Sequence, residues 1–504
     1  MSIRYPTPNR SLAVAMSVAV CTLLGACAVG PDYVKPDTAA PMAYKENRDW
    51  KVAQPNDSAD RGKWWEVFGD AQLNALAEQV EISNQTVIAA AAQYQQARAL
   101  VESARAAYFP TLGLNAAATR SQQGSRAITG TANGVSNGTT TGTPGINNSR
   151  SLSLNASWEA DIWGKVRRAA EAQSSSAQAS AAELAAARLS AQAQLAQSYF
   201  TLRQVDAQKQ LYADTVAAYE KSLQLTKNRY AGGVSARADV VAAETQLKTA
   251  QAQAINLGVQ RAQLEHAIAL LMGQPASTFS IAPAPLAALP PAVPEAGLPS
   301  QLLERRPDVA AAERRVAAAN AQIGVAKAAY FPALSLSASG GYQGASFANL
   351  LTLPNRFWSI GPQLVATLFD GGARDAQSRQ AQAVYDQNVA SYRQTVLTGF
   401  QEVEDNLSAL RILEQQAVVQ DEALQAARES VRLTINQYKA GVSSYLNVIT
   451  VQATALSTER ASVSLLGSRY VASVLLIQAL GGGWHATSLP TTDAVNAGND
   501  PAHQ

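Results

Sequence analysis

The sequence predicts a mostly α-helical, internally duplicated chain that contributes four antiparallel strands to a transmembrane β-barrel carried on long coiled-coil helices. Three observations predict it: a repeated helix-to-strand phrase, a repeated glycine turn, and four alternating segments. Residues 106–116 read AAYFPTLGLNA and residues 328–338 read AAYFPALSLSA. In both, Tyr-Phe precedes a proline (Pro110, Pro332), which stops a helix and biases the residue before it toward extended backbone. RYAGGVSARADV (229–240) likewise matches QYKAGVSSYLNV (437–448), pairing Gly233 with Gly441. The glycine pair lies closer in sequence than the proline pair. The difference falls within 121–150, a Gly, Ser, Thr and Asn tract that reads as a surface loop lengthened in the first copy.

Beyond each hinge the apolar residues alternate, the period of a strand with one apolar face. Leu112, Leu114, Ala116 and Ala118 do so in 109–120, and Leu334, Leu336 and Ala338 in 331–342. In 150–163, Leu152, Leu154, Ala156, Trp158, Ala160 and Ile162 oppose a row of serine, asparagine and acidic residues; in 356–369, Trp358, Ile360, Leu364, Ala366 and Leu368 share a face. A soluble sandwich uses such strands, and so does an outer-membrane barrel, apolar side to lipid and polar side to the lumen. Pro362 falls inside the fourth pattern, where loss of a ladder hydrogen bond predicts a local irregularity. Membrane barrels need about eight strands or more and tolerate no open edge, so four strands require the chain to oligomerise.

The N-terminus supplies an address. Arg4 and Arg10 precede an apolar run over 12–24 and then Leu-Gly-Ala-Cys, so 1–26 reads as a signal peptide. The ending resembles a bacterial lipobox, which makes Cys27 the acylated new N-terminus; ordinary cleavage nearby is the alternative. Ala28, where an aspartate would retain the protein inside, implies sorting to the outer membrane by the same resemblance. Removal of Cys21 with the leader leaves one cysteine and no possible intrachain disulfide. After the leader no stretch of about 18 residues is both apolar and uncharged, so further crossing must use strands. Charged residues make up 15% of the chain, against about 25% in ordinary soluble proteins. The net charge is only +2, and without a basic stripe no nucleic-acid partner is expected.

The chain then orders itself. Residues 27–70 form a lipidated N-terminal arm, and Asp70 caps a helix running to about residue 107. The first repeat, 71–272, adds its two strands, a long helix over 165–230 and a shorter one over 235–272. In the long helix Tyr212, Val216, Tyr219, Leu223, Thr226 and Tyr230 make a coiled-coil seam. The second repeat, 301–481, has a long helix over 373–438 with Tyr385, Val389, Tyr392 and Val396 in the seam, and a shorter one over 443–480. Between the copies, the Pro-rich 273–300 is either a linker wrapped round the body or a recognition segment for a proline-binding domain. The tail, 482–504, reads as loose. The helix before the first strand and the one after the glycine turn together match one long helix, at about 1.5 Å per residue. Two half-length helices stacked end to end therefore run beside a full-length one, twice per chain.

With those residues in view, the chain resembles the TolC superfamily of outer-membrane efflux proteins, in its OprM-like lipoprotein branch. The most specific pieces are CAVGPDYVKP (27–36), KWWEVFGD (63–70), LLERRPDVAAAERRVAAANAQIGVAKAAYFPALSLSA (302–338) and ALGGGW (479–484). The resemblance implies a homotrimer in outer-membrane lipid, with a barrel of about twelve strands continued by a periplasmic helical tunnel. It also implies service to an inner-membrane pump of the resistance-nodulation-division class through a periplasmic adaptor, expelling drug-like small molecules unaltered. No cofactor or metal is implied beyond the covalent lipid on Cys27.

The family's periplasmic gate uses a tyrosine, a leucine and a carboxylate round the second turn. The first two match Tyr438 and Leu446, whereas the carboxylate position holds Thr450. Asp239, near the first turn, either compensates for that charge or pairs with its helix dipole. Tyr230 and Tyr438 read equally as gating or as seam-packing residues. Gly233, Val234, Gly441 and Val442 read either as helix C-caps or as the surface on which adaptor hairpins dock.

Other classes fit less well. Three histidines (His266, His485, His503) with no phosphate-binding or nucleophile-elbow pattern leave metal and triad chemistry without parts, so no enzyme is expected. A structural envelope lipoprotein would have no use for four alternating strands. An exit duct for protein secretion is the alternative within transport; the lipobox and the CAVGPDYVKP start favour efflux.

Overall fold

Proline-free alanine-rich stretches become helices and the alternating stretches become strands in the computed structural model, which describes residues 29–38, 40–41, 43–47, 63–122, 146–287 and 299–497. The expected leader, Cys27, the core of the Gly/Ser/Thr/Asn loop and the last residues lie outside the described residues. In order the elements are α1 (Ala71–Ser83), α2 (Gln85–Ala106), β1 (Thr111–Gln122), β2 (Ile146–Ala160), α3 (Lys165–Ala231), α4 (Arg237–Leu271), α5 (Pro299–Arg305), α6 (Pro307–Ala328), β3 (Ala333–Gly344), β4 (Arg356–Val365), α7 (Ala373–Lys439), α8 (Tyr445–Ala479) and α9 (Thr492–Ala497). The chain forms two compact units, and each takes segments from both repeats.

One unit holds the sheet. Its strands run in the order β1-β2-β3-β4, all antiparallel neighbours. β1 and β3 begin after the hinge prolines, two residues later than the sequence suggests. The Tyr-Phe pairs instead close a tight turn: Tyr108 and Phe109 N–H donate to the carbonyls of Arg105 and Ala106 at 3.0 Å, and Tyr330 and Phe331 repeat this on Lys327 and Ala328. β4 stops at Val365, leaving Leu368 and Phe369 exposed beyond it. The irregularity expected at Pro362 is absent. Pairing runs unbroken through Leu336↔Pro362 and Ser337↔Gly361, so the missing N–H of Pro362 does not interrupt the ladder with β3.

The N-terminal arm of this unit is a latch. Val29 N–H donates to the Trp163 carbonyl at 3.1 Å, Asn320 Nδ2 to the Pro31 carbonyl at 3.0 Å, and Arg168 Nη2 to Asp32 Oδ1 at 2.8 Å. Gly30, at φ +115°, lies so close to Gly324 that a Cβ would stand 2.6 Å from its Cα. Two facing glycines are therefore what lets the arm lie on α6.

The other unit holds most of the helical mass. The expected helix over 71–107 is two helices, because Asn84 takes extended backbone at ψ 123°. Its side-chain oxygen accepts from Thr86 and Val87 N–H, at 2.9 and 3.1 Å, capping α2. Its amide nitrogen donates to the Leu271 carbonyl at the end of α4, 2.8 Å away. Ser83 Oγ donates beside it to the Met272 carbonyl at 2.8 Å, so the end-to-end join between the half-length helices of the first copy is built on two adjacent side chains. In the second copy Arg306 joins α6 to α8, donating to the Ala479 carbonyl (3.1 Å), to Glu402 (2.6 Å) and to Asp308 (2.7 Å). Burial opposes its charge, but Asp308 and Glu402 outweigh that and hold the guanidinium above its ordinary pKa.

The core beside the first join packs Trp64, Trp65, Leu73, Val80, Tyr199, Phe200 and Tyr470. Asp70 caps α1 as expected, accepting from Gln72 and Leu73 N–H, and also takes the Tyr199 hydroxyl at 2.6 Å. α8 is long and apolar enough to cross a membrane by composition, but Tyr470, Val474 and Ile477 on it lie in this core. The start of the Pro-rich segment is strapped to the unit. Arg203 Nη1 donates to the Ala282 carbonyl at 2.8 Å, Arg261 to that of Ile281, and Asp206 joins the two arginines. The tail is not loose as far as residue 497. Trp484 and Leu489 pack on Ala182, Ala310 and Ala311, and Val495 is buried, so three apolar side chains anchor it.

Candidate functional site

Two features dominate: a two-faced sheet in one unit and a pair of glycine turns in the other. The register puts Leu112 and Leu114 of β1 level with Ala156 and Leu154 of β2, then with Ala338 and Gly340 of β3, then with Ile360 and Trp358 of β4. One face is therefore continuously apolar. The other carries Asn115, Ser153, Ser157, Ser335, Ser337, Ser339 and Ser359, with Ser339 and Ser359 hydroxyls 3.0 Å apart. The apolar face is uncovered: Leu114 and Trp358 are each 73% exposed. A water-soluble sheet would bury such a face; a barrel strand turns it to lipid.

Aromatic side chains gather at the hinge end of this sheet. Trp163 stacks on Phe331 at 4.7 Å and donates Nε1–H to the Pro332 carbonyl at 2.8 Å, while Trp158 donates to the Tyr108 carbonyl at 2.9 Å. Tyr330 lies under the Arg374 guanidinium. In outer-membrane barrels, aromatic girdles flank the apolar band at both interfaces.

The glycine turns are built alike. Gly233 and Gly441 take φ +73° and +80°, the left-handed backbone that an L side chain enters only with strain. Gly233 N–H donates to the Tyr230 carbonyl and Val234 N–H to that of Arg229, both 2.9 Å; Gly441 and Val442 repeat the pattern on Tyr438 and Gln437, at 3.0 and 2.9 Å. Both are Schellman caps, in which the residue after the glycine usually packs on the last helical turn. Here it does not: Val234 and Val442 are 67% and 80% exposed, and Leu446 is 68% exposed.

The residues expected at a gate divide. Tyr438 is buried, its ring 5.4 Å from Tyr445 and beneath the Arg229 guanidinium at 4.7 Å. Its hydroxyl lies 3.2 Å from Ser235 Oγ, which also donates to Asp239 Oδ2 at 2.8 Å. Asp239 in addition accepts the Ala236 N–H at 3.2 Å, so it caps α4 while ending a polar chain from the second turn to the first. Tyr230 is half exposed and joins none of this. Thr450 is exposed, and its hydroxyl donates to the Leu446 carbonyl at 3.0 Å; Thr454 and Thr458 repeat the bond one and two turns on. That face offers neutral oxygens, in keeping with the threonine that the sequence places at this position.

Arg229, Ser235 and Tyr445 were missed by sequence reasoning. Arg229 bridges the turns by donating to the Lys439 carbonyl at 3.2 Å. The signal available was the difference between the copies, arginine at 229 against glutamine at 437.

The family model for outer membrane efflux proteins matches residues 76–274 and 298–482, either side of the Pro-rich segment. The chain is 32% identical over 470 residues to the pyoverdine export outer membrane protein OpmQ of Pseudomonas aeruginosa, covering 93% of this chain and 96% of that one. It is 30% identical over 474 residues to the probable efflux pump outer membrane protein TtgC of Pseudomonas putida, with the same two coverages. Among solved structures it superposes on the outer-membrane channel OprN with a TM-score of 0.80 at 31% identity, covering 91% of this chain and all of that one. Exposed apolar strands, an aromatic hinge and twin glycine turns thus sit in a chain that belongs to the outer membrane efflux protein family and works as an efflux channel of the outer membrane.

Proposed function

We propose that three copies of this chain close one barrel and serve as the passive exit duct of a three-part efflux assembly, receiving small molecules from an inner-membrane pump through a periplasmic adaptor. The uncovered apolar face of a four-stranded sheet with two open edges carries this reading. Edges unpaired in lipid are prohibitive, and pairing β4 of one copy with β1 of the next removes them. Val234, Val442 and Leu446 then face outward as apolar seats for adaptor hairpins or line the gate, and the tie between Tyr438, Ser235 and Asp239 holds the two turns of each chain together. The threonine column round Thr450 makes that gate less cation-selective than a carboxylate ring. Acylation of Cys27 anchors the chain two residues before Val29 in sequence.

The test is to purify the full chain in a nonionic detergent, weigh it by sedimentation, and record it in a planar bilayer. A trimer with large conductance is expected, and an inert monomer would end the reading. Cys27→Ser should abolish palmitate labelling while leaving the trimer intact; persistent labelling would refute acylation at that residue.

A further inference from the structure

Three helices of the unit that carries the glycine turns, α3, α7 and α8, line a cleft of about 530 Å³ that is open to solvent on one side. Small-molecule sites are clefts of about 300–1,000 Å³ with apolar walls and a few fixed polar groups. Here Leu225, Ile435, Val448 and Leu456 supply the apolar wall. Gln452 supplies a fixed polar point: it is only 7% exposed, its oxygen accepts from Gln246 at 3.3 Å, and its amide nitrogen has no hydrogen-bond partner among the described residues.

The charge around the cavity is one-sided. Lys221, Lys439 and Arg428 line it against the single carboxylate of Glu459, and that carboxylate is already taken by Arg428 at 2.8 Å. Neither lysine has an ion-pair partner among the described residues. An apolar wall with surplus cations selects a ligand that is apolar in its body and negative at one end, and it penalises a cation of the same shape.

We infer that this cavity is a binding site for an amphipathic organic anion, with its body against Val448 and Leu456 and its acid group served by Lys221 and Lys439. Gln452 gives a hydrogen bond to an acceptor on that body. Tyr438 lines the same cavity, so an occupant braces the helix that leads into the second turn. A ligand that fits this arrangement favours it over any in which α7 and α8 move away from α3. The site rests on the packing of one chain and does not depend on channel activity.

The test uses the full chain in nanodiscs and three probes of one shape: naphthalene-2-sulfonate, 2-naphthol and naphthalen-2-ylmethylammonium. Binding is read by equilibrium dialysis against empty nanodiscs. The sulfonate is expected to bind once per chain and about tenfold more tightly than the ammonium, a difference of about 1.4 kcal/mol. Lys221→Glu with Lys439→Glu should reverse that order. Ala218→Trp, which fills the cavity from its exposed wall, should weaken sulfonate binding about tenfold or more, with circular dichroism and sedimentation mass unchanged. Equal binding of the three probes, or an order unmoved by the lysine pair, overturns the proposal. Should the tryptophan variant misfold, the lysine pair still decides it.

Discussion

Single side chains set where the helices of this protein begin and end. Asn84 serves two helices at once through its two amide atoms, so Asn84→Ala should cost about 1–2 kcal/mol as a lost cap, plus the stranded Leu271 carbonyl. Asn84→Asp keeps the cap and loses only the donor. Thermal unfolding in detergent should therefore rank wild type above aspartate above alanine, and equal midpoints would show that Asn84 adds no stability to the join. Glu265 gives a pH-dependent case. Burial alone would raise its pKa, but the Ile281 N–H, the Ser280 hydroxyl and Arg261 outweigh that and hold it below the usual carboxylate value. A depressed carboxyl stabilises the fold at neutral pH, and that contribution fades as pH falls through the folded pKa. Because Glu265 holds the Pro-rich segment by accepting from Ile281 N–H at 2.6 Å, pepsin should cut near residue 281 increasingly as the pH falls through the acid range. Glu265→Gln should expose the same site to a neutral protease.

At the scale of elements, the regular parts were legible and the joins were not. The long helices fall within a residue of the sequence reading, since proline-free alanine-rich runs and a positive-φ glycine define both limits. The strand faces were equally plain, because period two needs no tertiary information. The break at Asn84 was not, because no proline or glycine marks it and its cause is a carbonyl far away in sequence, at Leu271. The site was half legible. Matching the two turns located Gly233 and Gly441, but only packing shows that Tyr438 is buried under Arg229 while Tyr230 is not. This gives a way to separate packing from gating. Tyr438→Phe keeps the ring and removes the hydroxyl that meets Ser235, a bond worth about 1 kcal/mol. If the tie between turns restrains the gate, the variant should keep its thermal midpoint within a degree or two and show longer or more frequent open events in a bilayer. Unchanged single-channel records would assign Tyr438 to packing alone. Gly441→Ala, by contrast, should lose about 1–2 kcal/mol through left-handed backbone strain.

For the whole molecule, the two faces of one strand must meet different surroundings, and β2 isolates the difference because it is paired on both sides. Leu154 and Ser153 are neighbours in it, so they share backbone geometry and depth and differ only in the face they occupy. If the apolar face meets lipid, Leu154→Arg places a charge in hydrocarbon at about 2–4 kcal/mol per chain near the bilayer midplane. Multiplied over every copy in the barrel, that penalty should reduce the heat-stable oligomer recovered from membranes severalfold. Ser153→Arg sits on the hydroxyl-bearing face, where water fills the passage, and should assemble at wild-type yield. Its cations would line the conduit and lower the permeability ratio for potassium over chloride, measured as a shift in reversal potential under a salt gradient. The paired design matters, since a single arginine that abolished assembly could be dismissed as a disrupted strand. A loss of oligomer with Ser153→Arg and tolerance of Leu154→Arg would invert the sheet. The serine rows would then face outward, and the apolar face would have to be covered by another part of the assembly.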